Sequence, residues 1–168
     1  VEGEGEWYKN TCLWVVPADG SAAPRNLTVQ YDIHINSGVI NDIGSPEMLP
    51  PAWSWAGQRL FFPVTLHGSS VLLSVAADGS DLQTVIPEGG VVGAFTFDKS
   101  QHRMAYFYGK MDDPAQLVVR DMYDGEQRVL THHNRPLLES LDLGQMEEVW
   151  FKGPDGNDLQ GWILKPPA

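Results

Sequence analysis

Residues with chemical capability are few in this sequence and widely spaced. His34, His67 and His102 could each serve a nucleophile as general base, but no Ser or Cys forms a recognisable nucleophile motif with them, so each reads as structural or surface. His132-His133 has the residue type of a metal site. Adjacent strand residues point to opposite faces, however, and no third ligand follows at a helical or zinc-knuckle spacing, so the pair reads as a turn. Glu147-Glu148 resembles the paired carboxylates that hold a free amine or shuttle protons, yet it lies in a terminal hairpin and reads as a solvated strand edge. Asp78-Gly79-Ser80-Asp81 and Asp155-Gly156-Asn157-Asp158 open like calcium loops but lack the Glu at the twelfth position. Trp53, Trp55, Phe95 and Phe97 could line an aromatic ligand box; their recurrence at equivalent positions points instead to filling the space between packed sheets. Asn26-Leu27-Thr28 fits the glycosylation acceptor pattern, which carries meaning only in a secreted chain. No residue is assigned a catalytic, cofactor-binding or metal-binding role.

Charge and composition narrow the function classes. Eleven basic against 22 acidic residues give a net charge of −11, which repels nucleic-acid phosphates and anionic lipid. Nucleic-acid and membrane partners are therefore not expected. No run approaches the roughly 18 apolar residues of a spanning helix, and residues 1–6 lack the basic and apolar regions of a signal peptide. The single Cys12 can form neither an internal disulfide nor a thiolate metal site, as suits a reducing compartment. A soluble, cytoplasmic protein is expected. The start at Val1 and the stop at Lys165-Pro166-Pro167-Ala168, directly after an apolar run, suggest a piece of a larger protein; a processed N-terminus with a short Pro-rich tail is the alternative.

The elements that must position these residues are mostly strands. Gly (17) and Pro (12) punctuate short apolar runs, and helical spacing is confined to Pro136-Leu137-Leu138-Glu139-Ser140-Leu141. Asp-Gly recurs at Asp19-Gly20, Asp78-Gly79, Asp124-Gly125 and Asp155-Gly156, each a hairpin turn in which Gly accepts a positive φ. The second and third copies lie between β-rich runs: Val71-Leu72-Leu73-Ser74-Val75 and Gln83-Thr84-Val85-Ile86, then Leu117-Val118-Val119-Arg120-Asp121 and Arg128-Val129-Leu130-Thr131. Upstream of each, an aromatic strand, a polar turn and an apolar strand follow in the same order: Ala52-Trp53-Ser54-Trp55 to Arg59-Leu60-Phe61-Phe62, and Ala94-Phe95-Thr96-Phe97 to Arg103-Met104-Ala105-Tyr106-Phe107. Two units of four antiparallel strands result. Cys12-Leu13-Trp14-Val15-Val16 and Asn26-Leu27-Thr28 give a partial match, an irregular unit with a long connection through residues 33–43.

Four-stranded units of this length are the blades of a β-propeller. The expected fold is all-β: a partial propeller of about three blades (about residues 1–47, 48–90 and 91–134), with a β-sandwich as the alternative. Residues 135–168 then supply a linker and a hairpin, Glu148-Val149-Trp150-Phe151-Lys152 and Leu159-Gln160-Gly161-Trp162-Ile163-Leu164-Lys165, that does not scan as a blade.

These residues resemble the prolyl oligopeptidase family of serine peptidases, most closely its acylaminoacyl-peptidase-like and dipeptidyl-peptidase-like branch. The resemblance rests on Pro51-Ala52-Trp53-Ser54-Trp55-Ala56-Gly57-Gln58-Arg59-Leu60, on the blade endings Gln83-Thr84-Val85 and Arg128-Val129-Leu130-Thr131, and above all on the junction from Leu130 to Pro167. It implies that the last hairpin opens an α/β-hydrolase domain. It also implies a parent enzyme that cleaves peptide bonds near peptide N-termini through a Ser-His-Asp route, without metal or organic cofactor. No Gly-x-Ser-x-Gly nucleophile elbow occurs in the sequence. The expectation is thus an inactive, substrate-gating propeller fragment whose partners are the peptide substrate of the parent and a missing hydrolase domain or companion chain, with self-association through its open blade edges. The alternative is a stand-alone small propeller, TolB-like or WD-repeat-like, that binds a protein partner.

Overall fold

A computed structural model of the chain describes residues 9–39 and 49–167; the acidic residues 2–6 and the far end of the connection read through residues 33–43 lie outside them. The chain divides into two units, Val1–Thr131 and His132–Ala168. The first contains β1 (Trp14–Val15), β2 (Arg25–Asn26), β3 (Ala52–Trp53), β4 (Arg59–Leu66), β5 (Ser69–Ala76), β6 (Gln83–Ile86), β7 (Val91–Phe97), β8 (Arg103–Gly109), β9 (Gln116–Asp121) and β10 (Gln127–Val129). In the second are α1 (Arg135–Leu138), β11 (Gln145–Lys152) and β12 (Asp158–Lys165). No helix among the described residues is long and apolar enough to cross a membrane.

The fold is all-β, with strands grouped as the repeat requires. β3, β4, β5 and β6 form one antiparallel meander, and β7, β8, β9 and β10 form the next. A single parallel pairing, Ser70 with Val91, links them. Two consecutive blade-like units therefore stand side by side. The partial match before them is an antiparallel hairpin of β1 and β2, registered Trp14 to Asn26 and Val15 to Arg25.

Its relation to the last meander extends to hydrogen bonds. Leu27 N–H donates to Leu13 C=O (2.8 Å), as Leu130 N–H does to Leu117 C=O (2.7 Å). Leu13 N–H donates to Thr28 Oγ1 (3.0 Å), and Leu117 N–H to Thr131 Oγ1 (2.8 Å). A Leu-Thr pair thus closes the outer strand in both places, the hydroxyl standing in for a ladder acceptor.

Turn chemistry explains the hairpins. Gly20, Gly79, Gly125 and Gly156 all have positive φ, as the Asp-Gly turns demand. The β4–β5 turn is a different one: His67 and Gly68 both have positive φ (46° and 70°), the pattern of a two-residue type I′ connection that sets Leu66 opposite Ser69.

Packing follows the two-residue period of the strands. On β4 and β5, Leu60, Phe62, Val64, Val71, Leu73 and Val75 join Leu13, Leu27 and Ile35 in one core cluster. Between them in sequence, Phe61 and Leu72 turn the other way and pack with Ile86, Val92, Met104, Tyr106 and Val118. The middle sheet is thereby buried on both faces, the condition of a blade between two neighbours. The last meander is covered on one face, by Met104, Tyr106 and Val118; on the other Phe107 is exposed.

The second unit is a regular hairpin in which all eight residues of β11 pair with β12, from Gln145 with Lys165 to Lys152 with Asp158. Lys152–Asp158 (2.7 Å) and Lys165–Glu147 ion pairs fasten its two ends. Trp150, Phe151, Trp162, Ile163 and Leu164 are exposed on it.

Candidate functional site

The residues with chemical potential are held apart, each by its own local structure. His34 Nδ1 accepts the Thr11 N–H (3.1 Å), His67 occupies the I′ turn with Nδ1 3.0 Å from Glu88 Oε2, and His102 makes an edge contact with Tyr123 (ring centroids 5.3 Å apart). Each belongs to a different turn or loop. The His132 carbonyl accepts the Arg135 N–H (3.2 Å) at the start of α1, which makes His132-His133 the turn entering that helix. Among the described residues no group of three or more His, Cys, Asp or Glu side chains could hold a metal ion.

The carboxylates are occupied by the backbone and by arginine. Asp78 Oδ1 accepts the Ser80 N–H (2.9 Å) and hydroxyl (2.6 Å), and these bonds hold its carboxyl below the ordinary carboxylate range. Asp81 is lowered by Arg59, whose guanidinium donates to Asp81 Oδ2 and to its carbonyl (both 2.6 Å) while also reaching Ser74. The loop that resembled a calcium site is therefore an Asx turn clamped by arginine. Glu147 pairs with Lys165, whereas Glu148 accepts from Trp150 Nε1 (2.5 Å) and Gln160 Nε2 (3.1 Å), so the neighbouring carboxylates serve separate partners.

Serines occur at the joins between segments. Ser70 is fully buried; its N–H donates to Gly90 C=O (3.0 Å) and its hydroxyl to Val92 C=O (3.0 Å), while the Ser37 hydroxyl donates to Ser70 Oγ (2.8 Å). With its proton committed to a carbonyl, Ser70 fastens the segments around it. A small cleft nearby is lined by Ile35, Asn36, Ser37, Leu49, Pro51, Phe62 and Pro63, with no titratable group.

The aromatic residues divide. Phe97 packs on Phe61 (centroids 4.9 Å) and Phe95 on Phe97 (5.9 Å, edge-on), filling the space between the two meanders. Trp53 and Trp55 do not share that role: they are 44% and 74% exposed, and Trp55 lies in the turn after β3 rather than on a strand. Asn26 Oδ1 accepts the Thr28 N–H (2.9 Å) and Thr28 is buried, so the Asn-Leu-Thr triplet has a structural explanation.

A residue that sequence reasoning passed over joins the meanders: Gln101, whose side-chain amide bonds the Trp53 C=O (3.0 Å) and the Trp55 N–H (2.5 Å). Its only advance signal was its place at the polar turn of the second repeat.

An all-β chain of repeated four-stranded meanders, with no assembled catalytic group among the described residues, is compared most usefully with larger repeat proteins. No protein-family model matches the chain. It is 23% identical over 164 residues to the uncharacterized peptidase YuxL of Bacillus subtilis (strain 168), a match covering 95% of this chain and 24% of that protein. Among solved structures, the Pyrococcus horikoshii acylaminoacyl peptidase superposes with a TM-score of 0.61 at 20% identity, over 87% of this chain and 20% of that one. An acylaminoacyl peptidase in complex with Z-Gly-Gly-Phe-chloromethyl ketone gives 0.57 at 23% identity, over 76% and 19%. Over a partial region the chain is thus similar in sequence to a peptidase and shares the fold of the matching parts of acylaminoacyl peptidases. It spans about a quarter of the curated relative's length.

Proposed function

We propose that this chain is the substrate-gating propeller part of a serine peptidase, with the chemistry supplied by an α/β-hydrolase domain outside these residues. The observation that carries the reading is the order of elements, two blade-like meanders followed by the separate β11–β12 hairpin; a superposition on an acylaminoacyl peptidase over 87% of this chain supports it. A packed β-sheet wall beside a hydrolase site works by exclusion, admitting short or unfolded peptides and refusing folded ones. The substrates proposed are peptides cleaved near their N-termini, through a Ser-His-Asp acyl-enzyme route. The proposed location is the cytoplasm. A self-contained four-bladed ring is less well supported, because the described residues form two four-stranded meanders and leave an apolar face of the second uncovered.

The test is substrate size. A longer protein carrying residues 1–168 ahead of its hydrolase domain should hydrolyse N-acylated chromogenic peptides and leave a stably folded protein with the same acylated N-terminus intact. Equal rates on the folded and the short substrate would remove the gating role.

A further inference from the structure

Gln101 holds a backbone conformation normally left to glycine. The two meanders match residue for residue at their first turn: Ser54 N–H donates to Arg59 C=O (2.8 Å) as Asp98 N–H does to Arg103 C=O (3.0 Å). Gly57 N–H donates to Ser54 C=O (2.8 Å) as Gln101 N–H does to Asp98 C=O (3.0 Å). Gly57 and Gln101 are therefore the same position, both with positive φ (66° and 55°). A non-glycine residue is strained there and persists only where its surroundings hold it. What holds it is its side chain: Oε1 accepts the Trp55 N–H and Nε2 donates to the Trp53 C=O, so that one amide occupies two edge groups of the preceding meander.

The same register carries the pattern forward. Trp53 corresponds to Phe97 and Trp55 to Lys99, and among the described residues no side-chain amide reaches that second backbone pair. The sheet face continues in step. Leu60 and Phe62 correspond to Met104 and Tyr106, which are buried toward the preceding meander, whereas Phe61 and Leu72, which pack on the following one, correspond to Ala105 and Leu117. Phe107, beside them, is exposed. The last meander thus repeats the surface on which its predecessor receives a neighbour.

We propose that Phe97 C=O and Lys99 N–H, flanked by Ala105, Phe107 and Leu117, form a receptor for a side-chain amide: a Gln or Asn at the left-handed position of the first turn of a further four-stranded unit. The occupant is defined by the chemistry of the interface already present between the two meanders. This inference rests on the repeat alone and stands or falls separately from the peptidase reading.

The experiment is amide hydrogen exchange by NMR on the full chain and on a version in which residues 91–131 are repeated in tandem after Thr131. The Lys99 amide should exchange about five- to tenfold more slowly when the added unit is present, the scale of one net hydrogen bond. It should return to its original rate when the added copy carries Gln101→Ala. In the unmodified length, Gln101→Ala and Gln101→Gly should both speed Trp55 exchange by a similar factor, although glycine relieves the strained φ. An unchanged Lys99 rate beside a folded added unit, an added unit that fails to fold, or Trp55 exchange indifferent to both substitutions would overturn the proposal.

Discussion

Gly79 and Gly125 occupy equivalent Asp-Gly turns with similar backbone, φ 88° and 80°, and differ in what surrounds them. A Cβ on Gly79 would lie 3.1 Å from the Leu27 carbonyl oxygen and 3.3 Å from its Cα, whereas on Gly125 its nearest neighbour is the Arg120 guanidinium at 3.0 Å, the far end of a side chain that can move. Gly79 is also where Gln30 Nε2 (2.6 Å) and the Tyr31 hydroxyl (3.1 Å) donate to the backbone carbonyl. Both Val substitutions should destabilise, by about 1–3 kcal/mol from the positive φ alone, with Gly79→Val the costlier because backbone must also give way. Calorimetric melting of the two variants checks the order. Tyr106 carries the pH signature at this scale. Desolvation pushes its hydroxyl up to about 12, while the hydroxyl donates to Gln127 Oε1 (3.0 Å). Since the folded value exceeds the unfolded value near 10, the stability it contributes is complete below pH 10 and is lost as pH rises toward 12. Denaturant melts of the wild type should show that decline, and a Tyr106→Phe variant should lack this part of it. At the acid end, Asp19, Asp78, Asp81 and Asp98 are all lowered, mainly by hydrogen bonds from their neighbours, so their contribution is present above about pH 4 and is lost below it.

At the scale of elements, the middle meander is the one buried on both faces, and its Phe62 is fully buried on the side of the first hairpin. Phe62→Ala should cost about 3–5 kcal/mol, the usual loss for a large core aromatic, whereas Phe107→Ala on the open face of the last meander should cost under about 1 kcal/mol. Urea unfolding of the pair measures the contrast. Much of this layer was legible in the sequence because its determinants are local. Asp-Gly marks positive φ, and the unbroken apolar run Leu60-Phe61-Phe62 suits a strand buried on both faces. What escaped was non-local or atypical. His67-Gly68 makes an I′ turn with a residue type that does not announce one, and Gln101 acts through its side chain on backbone groups 46 and 48 positions away. Trp53 and Trp55 were misplaced in the interface because their aromatic character matched Phe95 and Phe97 while their turn register did not. The candidate site was legible mainly as scattered residues without shared chemistry, and the structure keeps them in separate local networks.

For the whole molecule, the uncovered face of the last meander and the exposed aromatics of β11 and β12 imply association of the isolated chain. Sedimentation velocity over a hundredfold concentration range should show species heavier than 18.6 kDa; a single species of that mass throughout would count against it. The central proposal, that this chain is the non-catalytic part of a serine peptidase, is tested most directly by fluorophosphonate labelling followed by peptide mapping. The isolated 168-residue chain should take up no label above a heat-denatured control, and a longer protein that includes it should be labelled at one Ser, within a Gly-x-Ser-x-Gly elbow beyond residue 168. Label on any Ser within residues 1–168, or a longer protein without a labelled Ser, would contradict the account.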